Sequence, residues 1–510
     1  MSETPSSKSV VSLNKSDWAL KNLFWLALIT LVAFLVLGFH PGLEDDSFYL
    51  AAIKKNLNPA LFAHDAEYFS VHFQATIFDK LIAWSVRLTQ APLAWICLVW
   101  QFAAIFFLLH GCWRIARRCF MKPEAHWAAT ALVAALLGMP IGGIAINLAD
   151  QYLHPRTLAT ALIVAAIVAV MDRRFWLAGV FLLVAFSIHA IMASFGISFC
   201  LFLYWRERRH RFSDFSSAAL FLIPFGWLFD PATDAWRQAA STRGFYFLGH
   251  WHWYEWLGIF APLVLLLLLQ RFLTLRPADI DALKPFAEAV LYYGIFQTIV
   301  GFVIMLPPSL ERLRPFEPMR YLHLLYLSFF LIVGGLLGTY LLDRRPYRWA
   351  LLFIPLAAGM LYAQYVLYPA SPHLELPFVR SENGWLQAFA WIRQNTPDDA
   401  FFATDPHYET LRGEDQHGFR ALAERSVLSD YEKDAGMVGR VPSLAPRWLR
   451  EVTALEGWRN FQDEDFVRLK RTLGVTWIVL SHDDHQYSVS ESNVMTCLYE
   501  NEQVKVCRLY

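Results

Sequence analysis

Apolar runs recur along the first three quarters of this chain, and they leave few folds open. Crossing a bilayer core of about 30 Å takes a helix of roughly 20 mostly apolar residues, because hydrocarbon offers no partner to a bare backbone N–H or C=O. Windows of this kind include Leu23–Phe39, Ala94–His110, Leu257–Leu269 with its flanks, Ala287–Leu306 and Leu322–Leu342. Composition agrees: 56% of the 510 residues are hydrophobic and 17% are charged, less charge than a soluble chain carries. The pattern predicts a polytopic α-helical membrane protein of about eleven transmembrane helices. They fall near 22–39, 92–113, 124–140, 156–171, 175–188, 191–205, 215–229, 256–272, 286–306, 321–342 and 349–368. No cleavage site follows the first run, so it is expected to stay as a span behind a polar segment, 1–21.

Charge sets the direction of threading. Lys15 and Lys21 precede the first run. Arg114, Arg117, Arg118 and Lys122, then Arg173 and Arg174, then Arg206, Arg208, Arg209 and Arg211 lie in alternate loops, as do Arg271, Arg276 and Lys284, and Arg344, Arg345 and Arg348. Short loops rich in Lys and Arg stay in the cytoplasm. With eleven spans all of these fall on one side, which predicts a cytoplasmic N-terminus and a periplasmic C-terminal domain on a bacterial inner membrane. The 44 basic and 44 acidic residues cancel; a nucleic-acid partner would call for a basic surplus. Membrane lipids are the expected surroundings.

The loops on the other side are unusual. The first, 40–91, holds Glu44, Asp45, Asp46, His64 and Asp65, with two amphipathic stretches, 48–57 and 76–88, expected as helices lying on the membrane surface. A second, 230–255, is crowded with Trp, His and Arg, and a third, 307–320, reads PPSLERLRPFEPMR. From 369 to 510 the apolar runs become short and turn-bounded, as in a soluble α/β domain. Helices are expected at 385–394 and 466–473, strands at 400–404 and 476–481, and a hairpin around 498–506. Cys497 and Cys507 lie symmetrically about Glu502 at its turn. Facing Cβ atoms in such a pair are about 4.5–5.5 Å apart, which leaves both a disulfide and two buried thiols open; an oxidising compartment favours the first. Cys97, Cys112, Cys119 and Cys200 sit in or beside apolar spans and read as buried filler.

The adjacent carboxylates Glu44, Asp45 and Asp46 stand just past the first span. They repel one another, and each resists ionising in a low-dielectric site. A divalent cation or an Arg partner relieves that, and such a group can serve as a general base or bind a metal. The simple alternative is a solvated helix start, where Asp is a favoured cap.

In layout the chain resembles the GT-C class of membrane glycosyltransferases. Members carry an acidic motif in the first outer loop, surface helices in that loop, about seven to thirteen spans, and often an outer C-terminal domain. Glu44, Asp45 and Asp46 stand at the acidic motif, and 48–57 and 76–88 at the surface helices. WLQAFAWIRQNTPDDAFFATD (385–405) and LGVTWIVLSHD (473–483) look like the outer domain of bacterial members. The resemblance implies a GT-C-like membrane domain over 22–368 and an outer domain over 369–510. It also implies transfer of a sugar from a polyprenyl-phosphate-linked donor, with Asp45 or Asp46 deprotonating the acceptor hydroxyl and Glu44 beside them. The triplet is contiguous rather than the spaced Asp-x-Asp form, so a divalent cation (Mg or Mn) at Asp45 and Asp46 is an option rather than a requirement.

A donor phosphate at the outer face needs cations. Arg312, Arg314 and Arg320 stand in an outer loop, and the planar Arg fork suits phosphate. Pairing with Glu311 and Glu317, or snorkelling beside headgroups, is the alternative. Arg243 is a further candidate. His252 belongs to a His- and Trp-rich run that reads either as an interfacial aromatic belt or as a platform for a sugar ring. Asp150, His154 and Arg156 lead into a span whose first turn Pro155 suits; they face the acidic cavity or cap that helix. His189 sits between two apolar runs, as a ligand or a hydrogen-bonded structural residue. His64 and Asp65 are a second acid–base pair without diagnostic spacing, or solvated loop residues.

Neither a Walker motif nor a zincin HExxH occurs, which argues against ATP-driven transport and zinc proteolysis. A transporter or flippase for a lipid-linked or anionic solute would place ionisable groups mid-span on broken helices; here charges gather at span ends and in loops. A non-catalytic scaffold with a partner-binding outer domain is the third reading.

Overall fold

The computed structural model of the chain describes residues 8–69, 75–207, 232–275, 282–379, 381–411, 415, 417–482 and 492–510. The first part runs α1 (Lys8–Leu37), α2 (Asp46–Leu57), α3 (Phe78–Thr89), α4 (Leu93–Cys119), α5 (Pro123–Ala135), then a short hairpin of β1 (Pro140–Ile141) and β2 (Ile146–Asn147). It continues with α6 (Pro155–Met171), α7 (Phe175–Ile188), α8 (Ala190–Glu207), α9 (Asp234–Ser241), α10 (Trp253–Leu275), α11 (Leu283–Met305), α12 (Tyr321–Leu337) and α13 (Pro346–Leu367). Among the described residues, six stretches are long and apolar enough to cross a membrane: Ala19–Leu37, Leu93–Cys119, Trp253–Leu273, Leu283–Met305, Pro318–Leu342 and Pro346–Leu367. The shorter apolar helices α6, α7 and α8 pack among them. This is the build of a polytopic membrane protein. The expected span at 215–229 lies outside the described residues.

Two expectations change in detail. The run 124–140 is a shorter helix: α5 stops at Ala135, and Pro140, which lacks a backbone N–H, opens the β1–β2 hairpin instead. The amphipathic stretch 48–57 does form a helix, but α2 buries Asp46–Ile53 rather than lying open on a surface. α3 is two-faced as expected, with Ile82 and Ala83 buried and Trp84 and Leu88 exposed.

The polar loops sort into two groups. The segments after α1, between α5 and α6, around Arg243, before α12 and after α13 all reach one cavity. Basic loops meet at other contacts: Arg114 pairs with Asp172 at 3.1 Å, Arg344 with Glu124 at 3.0 Å, and Lys122 Nζ donates to Thr339 O at 2.9 Å.

The C-terminal part comprises α14 (Gly384–Asn395), β3 (Phe401–Ala403), α15 (Phe419–Ala423), β4 (Ser426–Val427), α16 (Lys433–Arg440), α17 (Ala445–Ala454), α18 (Asp463–Leu473), β5 (Trp477–Ser481), β6 (Met495–Glu500) and β7 (Val504–Leu509). The sheet order is β4-β3-β5-β7-β6, parallel across β4, β3 and β5 and antiparallel beyond. Strand alternation feeds two cores: Phe402, Trp477 and Val479 pack with α14, while Phe401, Ile478 and Leu480 pack with α18. Cys497 faces Cys507 in register, and the two are joined by a disulfide. The other four cysteines are free and buried.

A further core joins the two parts. Phe48, Phe62, Tyr68 and Phe69 of the α1–α4 connection, Trp236 and Tyr246, and Met437, Val438 and Trp448 form one apolar cluster. Burying that surface away from water fixes α16 above the cavity end of the bundle.

Candidate functional site

The turn after α1 is held from three sides. His40 N–H donates to Gln151 O at 2.7 Å, Gly418 N–H donates to Gly42 O at 2.8 Å, and Phe39 N–H donates to His373 O at 3.1 Å. Gly42 adopts φ 85°, and a Cβ there would lie 2.9 Å from Leu422 Cδ2, so both conformation and space call for glycine. Glu44, at φ 53°, is also left-handed. The Gly42 N–H donates to Asp46 Oδ2 at 2.6 Å.

This turn separates neighbouring acids. Asp46 closes it from inside and is 4% exposed. Burial pushes its carboxyl up to about 7, against the pull of the Gly42 N–H and Lys54. Glu44 and Asp45 instead line a cavity of about 500 Å³. Burial alone would raise the Asp45 pKa, but Lys433, His154, Arg243 and Arg156 outweigh it and hold the carboxyl far below its ordinary range. Lys433 Nζ is 3.9 Å from Asp45 Oδ1, and His154 Nε2 is 3.9 Å from Asp45 Oδ2.

The cavity brings together five cationic side chains, Arg156, Arg243, Arg320, Lys433 and Arg440, with five carboxylates, Glu44, Asp45, Asp150, Glu317 and Glu432. Most are paired. Lys433 contacts Glu44, and Arg320 contacts Glu317. Arg440 Nη2 donates to Glu317 Oε1 at 2.9 Å, and Arg156 Nη2 donates to Asp150 Oδ1 at 2.6 Å. Arg156 Nε and Nη1 are nevertheless buried without a hydrogen-bond partner among the described residues. Arg243 makes no ion pair among the described residues, and its Nε is likewise unpartnered. It packs on α16 because Gly436 makes room: a Cβ there would lie 2.6 Å from Arg243 Nη2. Tyr49, Tyr152, Tyr246 and Tyr368 supply aromatic walls.

Other expected residues fall around the site. His154 caps α6, its Nδ1 accepting the Arg156 N–H at 2.9 Å, which leaves the Nε2 edge toward Asp45. Burial and the Arg156 charge keep its pKa well below the usual value, so the ring is neutral. The His189 ring lies 6.3 Å behind it.

Several expectations are corrected. Asp65 is fully buried away from the cavity; Arg420 Nε donates to it at 2.5 Å and Val427 N–H at 3.0 Å. His64 stacks on Phe401 at 4.6 Å. Both fasten the α1–α4 connection to the C-terminal domain. Arg312 lies over Trp236 and Arg314 over Phe247, beside the cavity rather than in it. His252 stacks on Tyr254, and its N–H donates to Glu255 Oε2 at 2.7 Å. Asp45 and Asp46 do not converge on one point. Among the described residues no group of three or more His, Cys, Asp and Glu could hold a metal ion.

Lys433 and Arg440 carry no signal of their own in the sequence. They occupy an ordinary charged helix, KDAGMVGR, in a domain distant in the chain. Gly436 and Gly439, glycines within a helix, are the signal of a close approach.

A family model described as Domain of unknown function (DUF6798) matches residues 383–438, from the cap of α14 into α16 and including Lys433. No curated protein matches the chain.

Proposed function

We propose that this protein is a GT-C-like glycosyltransferase that moves a sugar from a polyprenyl-phosphate-linked donor to an acceptor hydroxyl at the outer face of the bacterial inner membrane. In this reading the chain makes about eleven spans, the N-terminus is cytoplasmic and the sheet domain is periplasmic. The observation that carries it is one cavity holding an ionised carboxylate, Asp45, with the ammonium of Lys433 and the guanidinium of Arg243, which makes no ion pair among the described residues. A phosphate needs the cations, and an acceptor hydroxyl needs the base.

Asp45 accepts the acceptor proton as that oxygen attacks the anomeric carbon; the bond from that carbon to the phosphate oxygen breaks, and polyprenyl phosphate leaves with its charge against Arg243 and Lys433. Without a donor phosphate those cations make Asp45 a weak base. A bound donor phosphate offsets their field and raises its basicity, so proton transfer follows donor binding. Any Mg²⁺ or Mn²⁺ would arrive with the donor, and titrating turnover with EDTA reads its contribution.

The test is native mass spectrometry of the full chain in nanodiscs against a panel of polyprenyl-phosphate sugars, comparing wild type with Arg243→Ala and Asp45→Asn. Donor retained by wild type and Asp45→Asn but weakened by Arg243→Ala, with turnover lost in Asp45→Asn, supports the reading. No donor bound by any form sinks it and directs attention to transport.

A further inference from the structure

A second cleft lies in the C-terminal domain, bordered by 405–407, 452–453, 455–460, Tyr431 and Gln238 of α9. Its volume, about 690 Å³, falls in the roughly 300–1,000 Å³ range of small-molecule sites. Nothing in the proposed transfer uses it.

Its chemistry is not that of an anion site. Asp405 is 5% exposed, with Oδ1 accepting the His407 N–H at 2.8 Å and Oδ2 3.9 Å from Arg459 Nε. The Arg459 side chain is 58% exposed and borders the cleft. Glu456 adds a second carboxylate, and Asn460 and Gln238 add amides. Donors and acceptors are thus mixed, without a cationic surplus. The rings of His407 and Tyr431 meet at 4.5 Å and 46°, forming an aromatic corner. Planar polar forks around aromatic faces suit a ligand with an apolar C–H face and a rim of hydroxyls. Position adds to this: Tyr431 borders the cleft while Glu432 and Lys433, next in the chain, line the Asp45 cavity.

We propose that this cleft binds a neutral oligosaccharide, with sugar faces against Tyr431 and His407 and hydroxyls against Asp405, Arg459 and Asn460. The binding stands independently of the transferase reading. Where both hold, the cleft carries remote units of a glycan acceptor whose reacting end enters the Asp45 cavity.

The experiment is saturation-transfer NMR on the full chain in nanodiscs with soluble cellotriose, chitotriose, mannotriose and maltotriose. At least one trisaccharide is expected to bind, at least tenfold more weakly to Arg459→Ala and to His407→Ala, both exposed positions, and equally well to Asp45→Asn. Binding of none of the four overturns the proposal. So does binding that survives both cleft substitutions, or binding lost in Asp45→Asn, which would place the sugar in the other cavity. Failure of the transferase reading leaves this result untouched, because no donor or turnover enters the measurement.

Discussion

Residues 44–46 and 64–65 belong to the same connection between α1 and α4, and both bring acids close to the C-terminal domain. At 64–65 the acid is bonded directly to its cation: Arg420 binds Asp65 and also Asp434, with Nη1 to Asp434 Oδ1 at 2.9 Å, and Val427 N–H binds the same Asp65 oxygen as Arg420, leaving Oδ1 without a hydrogen-bond partner among the described residues. At 44–46 contact is looser. Asp45 has its nearest cation, Lys433, at 3.9 Å, its side chain is 38% exposed, and Arg243 lacks an ion-pair partner among the described residues. A buried pair in direct hydrogen-bonded contact is a fastener, whereas charges that face one another across a space leave room for a ligand.

Substitutions can break or sharpen this contrast. The largest effect is expected from Asp45→Asn: turnover with a polyprenyl-phosphate donor falls by roughly 10²–10⁴-fold, the usual share of a general base, while the melting temperature moves by less than about 2 °C. A large thermal loss instead would make Asp45 a fastener too. Asp65→Ala should do the reverse. It leaves Arg420 buried with half its carboxylate partners, and denaturation should reveal a loss of about 3 kcal/mol; unchanged stability would remove the distinction. Arg243→Ala is expected to weaken donor binding about tenfold, measured by lipid titration, because one charge-assisted hydrogen-bond donor set is lost.

The smallest effect concerns pH. Asp46 titrates near 7 in the folded protein because burial disfavours its charged form. A carboxyl raised above its unfolded value contributes stability that is fully present below about pH 4 and lost as pH rises through about 7. Melting temperature should therefore decline by a few degrees across that window and flatten in Asp46→Asn. The reverse slope would place Asp46 with Asp45, facing the cavity.

The sequence carried much of the architecture because its signals are local. Apolar runs specify helices wherever backbone groups must satisfy one another, and α14, α18, β3, β5 and the β6–β7 hairpin follow from periodicity and turns. Pairing of Cys497 with Cys507 was open to a reading of spacing because a hairpin is a local structure. The segment 419–454 is not legible in the sequence, since α15 and α16 are short and make sense only against α2 and the α9 region, and β4 is a two-residue strand beside β3.

Within the site, the sequence by itself singled out Glu44, Asp45, Asp150, Arg156, Arg243 and Arg320 as polar groups at span ends or in outer loops, and these line the cavity. Chain order could not say which of two adjacent aspartates faces it; the left-handed turn through Gly42 and Glu44 decided that. Nor could it say that Lys433 and Arg440 complete it, or that Asp65 is spoken for by Arg420. Covalent neighbours and hydrophobic period are properties of a short stretch of chain. The electrostatic partner of a buried charge is whatever folding brings within a few ångströms, and here that partner lies hundreds of residues away: Lys433 is 389 positions from Glu44.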